Sequence, residues 1–198
     1  MSIIFPKNHR NSTPWKNGGG TTAEIAIAPA GAGFDDFDWR ISLATIAQSG
    51  GFSIFPGIDR TLALVEGAGV ALRIDAAPLF HLNADHPLIR FAGEAAVDAT
   101  VTNGATTDFN VMTRRSSCSH RLETLTFSGS HNLTRRSSTT LLFVVGGDQV
   151  QCQSGAEDSL LRLHDALLLT PDDAPVWTLH APTTATLFIV HITEKAHD

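Results

Sequence analysis

Charge and cysteine are both scarce in this chain. Charged residues fill 17% of its 198 positions, and acidic residues outnumber basic ones, 20 to 14. Nucleic-acid binding requires a clustered basic surface. A net charge of −6 therefore argues against a nucleic-acid partner. The pairs Arg114-Arg115 and Arg135-Arg136 are short enough to read as solvated strand ends. Only two cysteines are present, Cys118 and Cys152. They make no disulfide framework and suit a reducing compartment. No apolar run approaches the ~18 residues of a membrane span, and the first residues lack the basic and apolar regions of a secretory signal. The expectation is a soluble, cytoplasmic protein with no membrane partner.

Helical periodicity is also nearly absent, whereas short apolar or alternating runs broken by Gly, Pro, Asn and Asp recur throughout. That pattern predicts an all-β fold of barrel or sandwich type with few short helices. Strands are expected at 22–28, 39–46, 61–65, 70–74, 88–91, 95–101 and 108–113, then at 119–127, 139–145, 150–153, 166–170, 176–180 and 185–192. An internal echo runs through them. "RTLALVEGAG" from Arg60 and "TTLLFVVGGD" from Thr139 each carry an apolar strand into a glycine turn, with Gly146 lying 79 residues beyond Gly67. The same offset lays "PLIRFAGE" from Pro87 onto "ALLLTPDD" from Ala166. Two matches at one offset predict a duplicated β unit, residues 1–115 and 116–198, within one compact structural domain.

One stretch needs separate explanation. "TPWKNGGGTTAEI", Thr13 to Ile25, places Trp15, Lys16 and Asn17 before three glycines. In a phosphate-binding Walker loop the lysine follows the glycines; here it precedes them. A structural turn into the next strand and a pocket wall both remain open.

Alternation sorts the polar candidates. In "DWRIS", Arg40 and Ser42 share one face and Trp39, Ile41 and Leu43 the other. In "TDFNVMTRR", Asp108, Asn110 and Met112 share a face, which reads either as a pocket lining or as a solvated face with Met112 at its edge.

Taken together, "PWKNGGGTTAEI", "FDWRISLATI", "GGFSIFPGIDRTLALVEGAGVAL", "FAGEAAVDAT" and "TDFNVMTRR" closely resemble, in order, the motifs of the HutD/Ves family of the cupin superfamily. The resemblance covers Pro14 to Arg115 and implies a cupin-type β-barrel in two tandem units, a bicupin. It also implies where a cupin metal would sit. The usual ligand Glu lies seven residues before the turn glycine, a position filled here by Arg60, and no His-x-His precedes it. No metal or other cofactor is expected. A guanidinium at that position suits a small carboxylate, which its planar fork can grip bidentately, although pairing with Asp59 would serve equally well. On the family pattern Trp15, Lys16 and Asn17 form one wall of the pocket; alternation adds Asp108, Asn110 and Met112 as lining, and Arg40 and Ser42 join Arg60 if the barrel interior is their polar face and are solvated if it is the apolar one. Asp108 would accept a hydrogen bond from a ligand nitrogen such as an imidazole's. The resemblance further implies a binding role linked to histidine utilisation, with urocanate or N-formylglutamate as ligand. Two alternatives stand beside it. One is a metal-independent isomerase or hydrolase using Asp108 or a histidine as general base; the other is a stress-related interaction module with a vestigial pocket. A homodimer formed through edge strands is compatible with all three.

Overall fold

The computed structural model describes residues 2–195. β1 (Ile3–Phe5) leads into a 3-10 turn (Lys7–His9), the only helical element among the described residues. There follow β2 (Ser12–Pro14), β3 (Gly20–Ala28), β4 (Trp39–Ile46), β5 (Gly50–Gly51), β6 (Ile58–Glu66), β7 (Val70–Ile74), β8 (Phe80–Leu82), β9 (Leu88–Ala92), β10 (Val97–Thr100) and β11 (Thr106–Arg114). The remainder supplies β12 (Cys118–Thr134), β13 (Thr139–Gly146), β14 (Gln149–Ser154), β15 (Glu157–Arg162), β16 (Ala166–Leu169) and β17 (Val176–Glu194). Among the described residues no helix is long and apolar enough to cross a membrane.

The strands form two compact units, one from Asn11–Ser119 with Lys195, the other from residues 2–10 with His120–Glu194. The first unit has a six-stranded sheet, β2-β3-β4-β11-β6-β9, and a four-stranded sheet, β5-β10-β7-β8. Ile46 and Leu62 of the larger sheet pack with Val70, Leu72, Leu82, Val97 and Ala99 of the smaller. In the second unit the order is β1-β16-β13-β17-β14-β15, with β12 also on β17. Its apolar core has Leu142, Val144, Leu167, Trp177, Leu187 and Ile189 among its members, and Thr139, Thr140, Ser159, His164 and Asp173 are also buried in this unit. β1 belongs here because Ile3, Ile4 and Phe5 pair with Leu168, Leu167 and Ala166.

The two units share a strand register. Gly67 and Gly147 both end a strand in the left-handed region, at φ 96° and 92°. A Cβ on either would stand 2.6 Å from the Ala105 oxygen or 2.7 Å from the Thr184 oxygen, so glycine is required twice for one reason. Anchored there, β6, β9 and β11 correspond to β13, β16 and the second half of β17. Leu62 pairs with Ile89 and Asn110 in the first unit, as Leu142 pairs with Leu167 and Ile189 in the second. Both units carry a bulge at the equivalent place, between Thr107 and Asp108 in the first and between Val144 and Gly146 in the second, and Leu142 lies 80 residues beyond Leu62, one more than the sequence echo.

The strands expected at 176–180 and 185–192 are one continuous β17. Pro182 falls after His180, the last residue paired with β14, and before Thr186, the first paired with β13. Pro182 thus lies outside the residues paired with β13 and with β14, where the absence of an N–H breaks neither of those two ladders. The arginine pairs are also more than solvated ends. Arg115 bridges Asp59 and Glu94 at 2.8 and 2.9 Å, and Arg114 donates to the carbonyls of Phe37 and Asp35. Arg135 donates to the carbonyls of Ser137, Pro171 and Asp173.

Candidate functional site

Antiparallel pairing puts directly opposed residues on one face, and β4, β11 and β6 stack three such rows. The first row is Arg40, Met112 and Arg60; the second is Ser42, Asn110 and Leu62; the third is Ala44, Asp108 and Leu64. β9 extends the first two rows with Phe91 and Ile89. Leu62, Leu64, Ile89 and Phe91 of this grid pack in the first unit's core, so the face is interior. Six of the residues singled out from sequence, Arg40, Ser42, Arg60, Asp108, Asn110 and Met112, are thereby brought together, all buried.

Arg60 lies among three aromatic rings, its guanidinium 5.1 Å from the centre of Phe91, 5.5 Å from Phe52 and 5.6 Å from Phe55. The ring faces replace part of its lost hydration by cation–π attraction. Burial lowers its pKa to about 10, with Asp108 acting to raise it and Arg40 to lower it, so it stays charged at neutral pH. It does not pair with Asp59, which is taken by Arg115. Arg40 lies 4.8 Å over the Phe34 ring and donates its Nε to Glu24 at 2.8 Å. A bulge between Glu24 and Ala26 in β3 sets that register.

Asp108 is 1% exposed. Burial pushes its carboxyl up to about 7, against the opposing pull of Arg60. Four atoms here are buried without a hydrogen-bond partner: Arg60 Nε, Ser42 Oγ, Asp108 Oδ1 and Asn110 Oδ1. Unpaired buried polar groups are rare and costly. A ligand that pairs them recovers that cost on binding. Among the described residues no group of three or more His, Cys, Asp and Glu side chains is placed to hold a metal ion.

The glycine stretch is a hairpin turn between β2 and β3. Trp15 N–H donates to the Gly20 oxygen, Gly18 adopts φ 72°, and Asn17 Oδ1 accepts from Gly19 N–H at 3.0 Å. Trp15 also reaches the interior. Its ring packs partly buried against the first unit's core, and Nε1 donates to Thr22 Oγ1 at 2.7 Å. Lys16 and Asn17 are exposed on the turn, where Asn17 caps it. Gly20 makes the close approach that the glycine run required, since a Cβ there would collide with the Thr45 carbonyl oxygen. Gly20→Ala is expected to cost about 2 kcal/mol, an overpacking penalty against backbone, and to lower Tm by ~6 °C in a melt.

Sequence reasoning passed over Phe34, Phe52, Phe55 and Glu24. Phe34, at 60% exposure, stands 6.0 Å from Phe55 and covers Arg40. The available signal was the pair of phenylalanines in "GGFSIFPG", just ahead of Arg60.

The HutD family model matches residues 7–189. The chain belongs to the HutD family. Among similar HutD-family proteins is an uncharacterized 21.2 kDa protein in the hutC 3′ region of Pseudomonas putida, 37% identical over 81% of this chain and 82% of that one. Protein Ves of Cronobacter sakazakii is 34% identical over 82% of this chain and 80% of its own. Two solved structures align over nearly the whole length. PA5104 of Pseudomonas aeruginosa PAO1, a conserved protein of unknown function, gives a TM-score of 0.89 at 33% identity, covering 98% of this chain and 99% of that one. HutD from Pseudomonas fluorescens SBW25, solved in a formate condition, gives 0.84 at 28%, covering 99% and 100%. The fold is of the cupin type, and one solved structure at 9% identity, protein Ylba from E. coli, shares it at a TM-score of 0.72, a likeness of fold alone.

Proposed function

We propose that this HutD-family protein binds a small carboxylate inside its first unit, against Arg60, and thereby senses or buffers an acid of histidine utilisation. The observation that carries the reading is Arg60 itself. It is a charged guanidinium, 7% exposed, with Nε unpaired and three aromatic rings around it. A carboxylate is the complement of that fork. Trp15, Phe34 and Phe55 add flat apolar surface, and a few polar groups among aromatic walls are the usual make-up of small-ligand sites. The place of the Pseudomonas putida relative in the hutC 3′ region supports urocanate and N-formylglutamate as the first acids to try.

The test is calorimetric titration of metal-free protein with urocanate, N-formylglutamate, glutamate and formate. Saturable binding of one acid, at one site per chain, is expected, because the second unit carries Thr140, Leu187 and Ile189 at the positions of Arg60, Asp108 and Asn110. At a hundred times Kd the bound acid stabilises the fold by about 2.7 kcal/mol, readable as a raised Tm. No heat and no thermal shift with any acid would overturn the reading.

Asp108 favours a second reading, a metal-independent isomerase or hydrolase acting on the same acids. A carboxyl with pKa about 7 is poised as a general base near neutral pH. Proton NMR of each acid incubated with protein decides it: a changed spectrum shows turnover, and an unchanged one leaves binding as the function.

A further inference from the structure

The second unit holds a polar cluster of its own, at the place that Arg60 and Met112 take in the first. Leu62 opposite Asn110 corresponds to Leu142 opposite Ile189; two residues along, Arg60 opposite Met112 corresponds to Thr140 opposite His191. Leu142 and Ile189 are core residues, so strand alternation turns Thr140 and His191 to the same interior face. Two further side chains stand at His191. Ser137 Oγ lies 3.5 Å from its Nδ1, and Glu123 Oε1 lies 3.8 Å from its Nε2. Glu123 is held in turn by Arg121 at 2.8 Å. A hydroxyl, an imidazole and a carboxylate in series is the arrangement that activates a nucleophile.

Ser137 is half-buried, and Arg135 fixes its backbone by donating to the Ser137 carbonyl at 3.0 Å. Its hydroxyl donates to the Thr139 carbonyl at 2.8 Å and lies 2.9 Å from Thr140 Oγ1. Rotation about the Cβ–Oγ bond turns the proton toward His191 instead. Catalytic contacts are often long in an unliganded site and tighten around substrate. Burial lowers the pKa of His191, with Glu123 acting to raise it and Arg121 and Arg136 to lower it, so the imidazole is neutral at pH 7 and free to take a proton. The Glu123 carboxylate favours the tautomer with its hydrogen on Nε2, which leaves the Nδ1 lone pair facing Ser137.

We infer that the second unit carries an acyl-transfer centre that hydrolyses small carboxylic esters, with Ser137 as nucleophile, His191 as general base and Glu123 positioning His191. Ser137 Oγ bonds to the ester carbonyl carbon as its proton passes to His191 Nδ1. The bond from that carbon to the alkoxy oxygen then breaks, and the leaving oxygen takes the proton. Water next adds to the acyl carbon, giving a proton to His191; the bond to Oγ breaks, Ser137 recovers the proton and the acid departs. The positive field of Arg136, which reaches His191, favours the oxyanion of each tetrahedral intermediate. The centre is independent of Arg60 and of the acid bound there.

The full chain incubated with p-nitrophenyl acetate tests it. A burst of p-nitrophenolate stoichiometric with protein is expected, with the acetyl group mapped to Ser137 by peptide mass spectrometry and a fluorophosphonate labelling the same residue. His191→Gln should slow the burst about a hundredfold, the contribution of a general base. Ser137→Ala should abolish it, and Ser138→Ala should keep it, since that neighbouring hydroxyl is engaged by the Ile192 carbonyl and the Glu194 N–H. Glu123→Gln should slow acylation and move its pH profile to lower pH, because loss of the carboxylate lowers the His191 pKa further; Glu123→Asp should restore both. Absence of burst and label, acetylation of lysines alone, or a burst that survives Ser137→Ala would each overturn the centre. An unmoved pH profile in a Glu123→Gln protein that melts as the parent does would overturn the positioning role.

Discussion

Arg60→Ala is expected to weaken binding of the acid at least ~100-fold, about 3 kcal/mol, in the range seen when one partner of a buried charged pair is truncated. Arg60 is the group with most to lose because its Nε is unpaired, whereas the Nε of Arg40 is spent on Glu24. The low-dielectric setting enlarges the effect, since the guanidinium is buried among Phe52, Phe55 and Phe91. Arg60→Met separates chemistry from packing. Its unbranched chain refills the space between the rings, so the same loss of affinity is expected from a protein that melts as the parent does. Arg60→Lys keeps the charge and loses the planar fork, and about a tenfold loss is expected of it. Parent-like binding by Arg60→Met, measured by the same titration, would remove Arg60 from the site.

Much of this site could be read from the residues, because its key members lie on strands with clean alternation. Once 39–46 and 108–113 are strands, Arg40 with Ser42 and Asp108 with Asn110 and Met112 each share a face, and the structure brings the two sets into the same rows. Arg60 was found by its place before the Gly67 turn. What was missed depends on contacts that alternation does not encode. Phe34, Phe52 and Phe55 sit between strands, where no period tells which way a ring points. Glu24 reaches Arg40 only because a bulge shifts β3 against β4, and a bulge leaves no mark in an apolar pattern. Ser12–Pro14 has no strand propensity and pairs because the hairpin turn places it beside β3. Ile3–Phe5 pairs with a strand over 150 residues away, a partnership that only the folded second unit creates. Leu62 and Leu142 lie 80 residues apart because the equivalent turn glycines are Gly67 and Gly147, one residue beyond the Gly146 on which the echo aligns.

The duplicated interior permits an exchange whose two halves have opposite signs. Carrying the polar pair into the second unit, as Leu187→Asp with Ile189→Asn, is expected to destabilise the protein by ~5 kcal/mol or more, through lost apolar burial and two new unpaired polar groups. No arginine stands beside them, since Thr140 occupies the position of Arg60. The double variant should be recovered as insoluble or unfolded protein. The reverse change, Arg60→Met with Asp108→Leu and Asn110→Ile, gives the first unit an interior like the second. Replacing a buried ionic set by packed apolar groups is neutral or stabilising by about 1–4 kcal/mol, so apo-protein of this variant is expected to melt at or above the parent while binding no acid. Asp108 supplies a pH signature as well. Its native pKa of about 7 lies above that of the unfolded chain, so its contribution is complete below ~4, the ordinary aspartate value, and is lost as pH rises toward 7. Denaturant titrations of the parent at pH 4.5 and 7.5 carry this contribution at the lower pH, against the opposite pull of Glu94, Asp173 and His191, whose pKa values are lowered. The triple variant should lose that part of the slope. A triple variant less stable than the parent at both pH values would show that the polar cluster holds the unit together, and that the cost of the unpaired groups is not being recovered from a ligand.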